Sequence, residues 1–349
     1  MHVCATDGRA GHNGGMLDSN RRQHATHSRN VVPSHHDRHD ADAVVIARRL
    51  AGWWDGNARD LPWRFGRTTP WGVLVSEVMS QQTQMSRVVP YWEAWMQTWP
   101  DAAALAAAST ADVITAWGRL GYPRRALRLQ ECARVVAEQY DNELPSTYDE
   151  LTALPGIGDY TASAVLSFAF GKRIPVIDTN IRRVLSRVFL GVESRGGSAS
   201  RDERSLAKSV LPEDDGTVDA SDQGLSCQSA SVIWNQSVME LGAVICTAQA
   251  PRCEACPLQA DCVFLAAGRP GLGERRTRPR QRFQGTDRQV RGIVLNALRQ
   301  ASADGGPALP RVEVERLWAD RVQLDACIAS LDEDGLLEIL PDGSLCLPQ

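Results

Sequence analysis

Three features of these 349 residues predict a mostly α chain of two helical lobes with a metal-binding loop and a small terminal module. Apolar residues recur at helical rather than alternating spacing through most of the chain after residue 40. The stretch Leu154-Pro-Gly-Ile-Gly158 joins two such helices by a glycine hairpin. Four cysteines crowd into residues 246–262.

Composition narrows the function classes. A hydrophobic content of 43% with 23% charged residues is that of a soluble globular protein. No apolar run approaches the ~20 residues of a membrane span, and the N-terminus lacks the apolar centre of a signal peptide, so a cytoplasmic, membrane-free protein is expected. The formal charge of −4 is local: eight acidic against four basic residues between 193 and 222 account for all of it. The remainder is balanced and carries basic clusters suited to nucleic acid. All seven histidines fall within the first 39 residues, an aperiodic stretch expected to be a disordered tail. Chemistry in the rest of the chain must therefore use carboxylates, tyrosine or cysteine.

Taken in order, residues 40–54 suit an opening helix through Val44, Val45, Ala47, Leu50, Trp53 and Trp54. Arg59-Asp-Leu-Pro-Trp-Arg64 leads to a helix from Trp71 to Met85, on which Glu77, Gln81 and Gln84 share one face by spacing. A lone Glu on a helix is usually solvated. Here the apolar entry and the adjacent amides argue for a pocket lined with hydrogen-bonding groups. Farther on, Gly121 and Pro123 break two helices around Tyr122, with Arg119, Arg124, Arg125 and Arg128 close by. An aromatic at a glycine turn among arginines fits insertion into a base stack, and a core tyrosine under a solvated basic helix is the bland alternative.

Ser146 with Asp149 reads as a capping-box start for a short helix that Pro155 ends. Gly156 and Gly158 bracket Ile157, and Asp159 caps the next helix, whose buried stripe is Ala162, Val165, Leu166 and Ala169. Such a hairpin aims unpaired backbone amides outward as a phosphate cradle, though an ordinary αα-hairpin explains the five residues equally well. The sequel favours the cradle. An apolar run, Ile174 to Ile177, delivers Asp178 and Asn180 to the start of a helix bearing Arg182, Arg183 and Arg187.

Residues 193–230 read as a flexible acidic surface insertion, followed by a buried helix on Val238, Leu241, Val244 and Ile245. Cys246, Cys253, Cys256 and Cys262 form C-x6-C-x2-C-x5-C, which means metal far more often than disulfides in a cytoplasmic chain. Zinc and a [4Fe-4S] cluster both accept four cysteines, and spacing of this kind does not choose between them. Residues 269–285 are a basic linker. Residues 286–349 suit three helices and a hairpin around Pro341-Asp-Gly343, a small winged-helix-like module.

The hairpin with its following aspartate resembles the helix-hairpin-helix DNA glycosylase superfamily. The runs L-P-W-R, S-E-V-M and Q-Q-T-Q resemble its MutY-type adenine glycosylase branch, and the cysteine spacing looks like the iron-sulfur loop of the endonuclease III and MutY branches. The resemblance spans roughly residues 40–268, the expected catalytic region. It implies the helix-hairpin-helix DNA glycosylase fold, a [4Fe-4S] cluster on Cys246, Cys253, Cys256 and Cys262, and Asp178 as the catalytic carboxylate. It further implies Glu77 as general acid and Gln81 and Gln82 at the base-recognition and strand-wedging surface. Where such enzymes usually carry two tyrosines, this chain has Tyr122 before Pro123. Many of them also carry a larger C-terminal domain that reads the oxidised guanine; the tail here is expected to be too short for it.

The expected function is a monofunctional glycosylase, acting as a monomer on double-stranded DNA, that removes adenine mispaired with 8-oxoguanine or guanine in base excision repair. Glu77 would protonate adenine at N7, Asp178 would stabilise the oxocarbenium-like sugar, and Asn180 would orient the water. Tyr160 stands where lyases of the superfamily have a nucleophilic lysine, and a phenol cannot form a Schiff base. Tyr122, Arg124, Gly156 and Gly158 complete the expected DNA contacts. The alternatives are a mismatch-specific thymine or uracil glycosylase of the same fold and a non-catalytic DNA-binding iron-sulfur protein.

Overall fold

Three apolar cores organise the chain, and the first two are built from helices that interleave in sequence. A computed structural model describes residues 35–349 except Arg195, 215–227, 275–282 and Pro307. The first helix, α1 (His35–Asn57), sends Ile46 and Leu50 into the second core rather than the first. Six helices then build the first lobe: α2 (Pro70–Ser80), α3 (Met85–Thr98), α4 (Ala102–Ala106), α5 (Thr110–Trp117), α6 (Arg124–Gln139) and α7 (Tyr148–Ala153). Their core is rich in tryptophan, with Trp95 edge-on to both Trp99 and Trp117 at centroid separations of 4.9 and 5.5 Å.

The hairpin leads into α8 (Asp159–Phe168), which belongs to both lobes. Ala162, Val165 and Leu166 face the first core and Ala164 the second. The chain then stays in the second lobe through α9 (Thr179–Leu185), a π-helical turn at Ser186–Leu190, α10 (Arg201–Ser209) and α11 (Ala230–Val244). α12 (Val263–Ala266) closes the cysteine loop. Two lobes joined this way pack α2 against α8.

The third core is formed by α13 (Asp287–Ala303), α14 (Arg311–Arg316), α15 (Arg321–Glu333) and an antiparallel hairpin of β1 (Glu338–Ile339) and β2 (Leu345–Cys346). This is the expected three-helix, one-hairpin module. It is not free of the first lobe: Ile114 of α5 lies in its core, Arg299 donates to the Ile114 carbonyl at 3.1 Å, and Arg124 pairs with Asp334 at 3.2 Å.

Local chemistry corrects several sequence expectations. α2 stops at Ser80, so Gln81 and Gln84 leave the face that Glu77 occupies; Gln84 instead precedes α3. The cap of α7 is Thr147, whose hydroxyl accepts from the Glu150 amide, not Ser146 with Asp149. Gly158, not Asp159, is the N-cap of α8. The segment 193–230, expected as a flexible insertion, contains a helix and buried residues. Within it, Ser200 and Glu203 form a capping box that starts α10, and Leu206, Ala207, Val210 and Leu211 are buried in the second core. Arg195 and residues 215–227 of that insertion, residues 275–282 of the basic linker and residues 1–34 lie outside the described residues, while His35 to His39 of the expected tail are helical. Among the described residues no helix is long and apolar enough to cross a membrane.

Candidate active site and iron-sulfur loop

α2 is buried on every side from Trp71 to Met79, and Glu77 is its one charged residue. A helix apolar all round belongs in a core, so a carboxylate there must be satisfied locally. Tyr160, in the first turn of α8, donates its phenolic O–H to Glu77 Oε2 at 2.6 Å. Burial pushes Glu77 up to about 7, the nearby charge of Asp178 adds to the rise, and the Tyr160 hydrogen bond and the Arg64 charge restrain it. Burial and the two carboxylates drive Tyr160 well above its ordinary range, so it stays a donor.

Asp178 reaches the same point from the second lobe as the N-cap of α9. Its Oδ1 accepts from the Ile181 amide at 2.6 Å and its Oδ2 from Asn180 Nδ2 at 2.9 Å. Burial raises its pKa, and these hydrogen bonds with the charge of Arg183 pull against that rise. Asn180 is held in turn by Arg183, whose Nη2 donates to its Oδ1 at 2.8 Å and to the Gly242 carbonyl at 2.7 Å. Gly242 is the reason α11 can lie this close: a Cβ there would stand 2.7 Å from Asn180 Cβ and 3.1 Å from its backbone oxygen. The structure therefore brings Glu77, Tyr160, Asp178 and Asn180 together. Arg182, Arg183 and Arg187 of the helix that Asp178 starts are buried and bind backbone carbonyls and carboxylates.

One constellation here escaped sequence reasoning. Glu240 of α11 is fully buried and takes Arg59 Nε on Oε1 at 2.5 Å, with Arg59 Nη2 at 2.9 Å and Arg64 Nη2 at 2.7 Å on Oε2. Burial alone would raise Glu240, but hydrogen bonds from Arg59 and the charge of Arg64 hold it below the usual range. Arg64 lies over the Trp54 ring, 4.9 Å from its centroid, and its charge reaches Glu77. The signal available was an acidic residue inside an otherwise uncharged helix, but its partners are 176 and 181 positions away.

Gln81, Gln82, Tyr122, Arg124 and Gly156 line a single cleft. Two of them are non-glycine residues in the left-handed region, Gln82 at φ 56° and Tyr122 at φ 50°. Such strain, of order 1–3 kcal/mol each, tends to persist where function needs a side chain presented outward. Gly156 has φ 78°, and a Cβ there would meet Arg128 Cβ at 2.9 Å. Gly158 has ordinary φ but an open face, as close approach of a partner requires. Arg125 is internal, donating to the Val78 and Gln81 carbonyls at 2.8 and 2.7 Å and tying the end of α2 to the Tyr122 turn. Arg124 is tethered to Asp334 of the terminal module rather than left free.

Cys246, Cys253, Cys256 and Cys262 line one pocket with Arg187, Leu241 and Phe264. Burial pushes Cys256 up to about 12, with the other three thiols adding to the rise. Four converging sulfurs fit a cationic cluster, which would hold them as thiolates. No group among the described residues closes tightly enough on a point to hold a single metal ion. Arg187, almost fully buried over the Phe264 ring, donates to Cys246 Sγ at 3.3 Å and pairs with Glu193.

Residues 75–208 match the HhH-GPD superfamily of base excision DNA repair proteins, and residues 246–262 match the iron-sulfur binding domain of endonuclease III. The chain is 44% identical over 300 residues to the adenine DNA glycosylase of Mycolicibacterium smegmatis, covering 85% of this chain and 94% of that one. The chain belongs to the adenine DNA glycosylase family. It is a DNA glycosylase of base excision repair with a [4Fe-4S] cluster as its cofactor. The adenine DNA glycosylase of Mycobacterium tuberculosis is 40% identical over 312 residues, 89% of this chain and 94% of that one. The human adenine DNA glycosylase is 39% identical over 241 residues, 66% of this chain and 41% of that one. Among solved structures, a thermostable thymine-DNA glycosylase superposes with a TM-score of 0.55 at 23% identity, over 65% of this chain and 98% of that one. An endonuclease III–DNA complex does so at 0.53 and 20%, over 66% and 97%. Both show that this adenine glycosylase family member has the helix-hairpin-helix glycosylase fold.

Proposed function

We propose that the chain, as a cytoplasmic monomer, removes adenine mispaired with 8-oxoguanine or guanine from duplex DNA without cutting the strand. Residues 40–268 form its catalytic region and 286–349 a winged-helix-like module. The observation that carries this reading is the buried Glu77–Tyr160–Asp178 cluster at the junction of the two lobes. Adenine is a poor leaving group and leaves most readily when its ring is protonated. Glu77, with a pKa of about 7, holds a transferable proton near neutral pH and serves as the general acid toward N7. Asp178, fixed by Ile181 and Asn180, faces the sugar and stabilises the positive charge that develops as the N-glycosidic bond breaks. Ionised Glu77 then guides water to the anomeric carbon, with Asn180 orienting it.

Extrusion of the nucleotide falls to the cleft residues. Gly156 and Gly158 present hairpin amides to phosphate, Gln81 and Gln82 occupy the space vacated by the base, and Tyr122 enters the stack. Arg124 belongs to the same surface. Cys246, Cys253, Cys256 and Cys262 would hold the [4Fe-4S] cluster, which supplies a rigid cross-link for the loop between α11 and α12.

A panel of duplexes tests the function. Adenine should be released from A opposite 8-oxoguanine and A opposite G, with no thymine release from T opposite G. Borohydride should trap no Schiff base. Thymine release in place of adenine, or efficient trapping, would overturn the reading.

A further inference from the structure

A cleft of about 1250 Å³ opens between the first lobe and the terminal module. Gln82, Tyr122 and Gly156 form one wall, and Arg288, Gly292 and Asn296 of α13 form the other. Among the described residues eight arginines and no carboxylate line it, in a chain whose net charge is negative, so its occupant is a polyanion. The exposed Tyr122 ring is bracketed across the cleft, with the Arg125 guanidinium 5.4 Å and the Arg288 guanidinium 5.6 Å from its centroid. Among the described residues Arg288 has no carboxylate partner.

Gly292 identifies the docking face. α13 buries Val290, Val294 and Leu298 in the third core, leaving Arg288, Gly292 and Asn296, at i, i+4 and i+8, on another face. A glycine inside a seventeen-residue helix weakens it relative to alanine. Packing does not require it, because a Cβ at Gly292 meets no atom within 4 Å. What a missing side chain provides at an exposed helical position is room for a partner's backbone.

We propose that the Arg288–Gly292–Asn296 face of α13 docks the sugar-phosphate backbone of the DNA strand that pairs with the one held by the hairpin. The hairpin and α13 line opposite sides of the cleft mouth, so a duplex laid across that mouth presents one backbone to each. Gly292 lets the second backbone lie against the helix, and Arg288 neutralises a phosphate beside the step that Tyr122 enters. This inference rests on the DNA-binding part of the proposed function.

The test uses the full chain and a duplex carrying a non-hydrolysable adenosine analogue opposite guanine. Gly292→Leu should raise Kd about tenfold while its melting temperature stays the same or rises. Arg288→Ala should weaken binding and lower the slope of log K against log salt by about 0.9. Asn296→Cys should be captured by thiol–disulfide exchange with an activated disulfide tethered to a phosphate of the strand opposite the adenosine, releasing the leaving thiol. An unchanged Kd in either of the first two variants, or tethering confined to the adenosine strand, overturns the inference. All these readouts concern binding, so a wild-type chain that binds duplex but releases no adenine would remove the proposed reaction and leave this docking face standing. A wild-type chain that does not bind duplex overturns both.

Discussion

At Glu77 burial is set against a hydrogen bond and a nearby positive charge, and in the proposed reaction their balance fixes the working pH. Each pKa unit is worth about 1.4 kcal/mol, so ionising a carboxyl raised from 4.5 to about 7 costs the folded protein roughly 3 kcal/mol. That stability is fully present below pH 4.5 and is lost as pH rises through 7. Glu77→Gln should therefore melt higher than wild type above pH 7, with the gap closing toward pH 5, as denaturant titrations at several pH values would show. Tyr160→Phe removes a hydrogen bond that lowers the Glu77 pKa. Its alkaline limb of single-turnover adenine release should move to higher pH than the wild-type limb near 7, and a limb that moves lower or stays put would contradict the assignment. Glu77, Tyr160, Asp178 and Asn180 were all legible in the sequence, because short motifs fix them to helix starts and to a buried helix. Glu240 was not. Its meaning depends on arginines far away in the chain, which only the closed fold brings to it.

The elements hold these residues by close approach. α9 and α11 touch through Gly242, and a methyl group there would displace Asn180 and with it the orientation of Asp178. Gly242→Ala should cost about 1–3 kcal/mol of stability, as overpacking typically does, and should slow release more than it weakens duplex binding; single-turnover rates and Kd values would separate the two. The same scale shows where helical patterns mislead. The spacing of Glu77, Gln81 and Gln84 suggested a common face, but the helix stops at Ser80 and Gln82 turns left-handed. The capping signal Ser200-Arg-Asp-Glu203 was present in the acidic segment, and its charge concealed the buried Leu206 and Leu211 that follow.

For the whole molecule, the two lobes meet along α8, so each can contribute one carboxylate to a single nucleotide. The cysteine loop is tied back to this junction: Arg183 links Asn180 to the Cys246 carbonyl, and Arg187 reaches Cys246 Sγ. Cys256→Ser should lose the visible absorption of the cluster and lower the melting temperature, and a variant that keeps both would show that Cys256 is not a ligand. The lobes, the hairpin and the cysteine loop were readable because each has its own local pattern. The docking of the terminal module on α5 and α6 was not, since it rests on Ile114 and Arg124, which look like ordinary positions on their own helices. The most direct measurement is single-turnover adenine release by Glu77→Gln and Asp178→Asn, alongside their affinity for the same mispaired duplex. Each variant should release adenine on the order of a thousandfold more slowly with Kd within about threefold of wild type. Release within about tenfold of wild type by either one would contradict a reaction shared between two carboxylates.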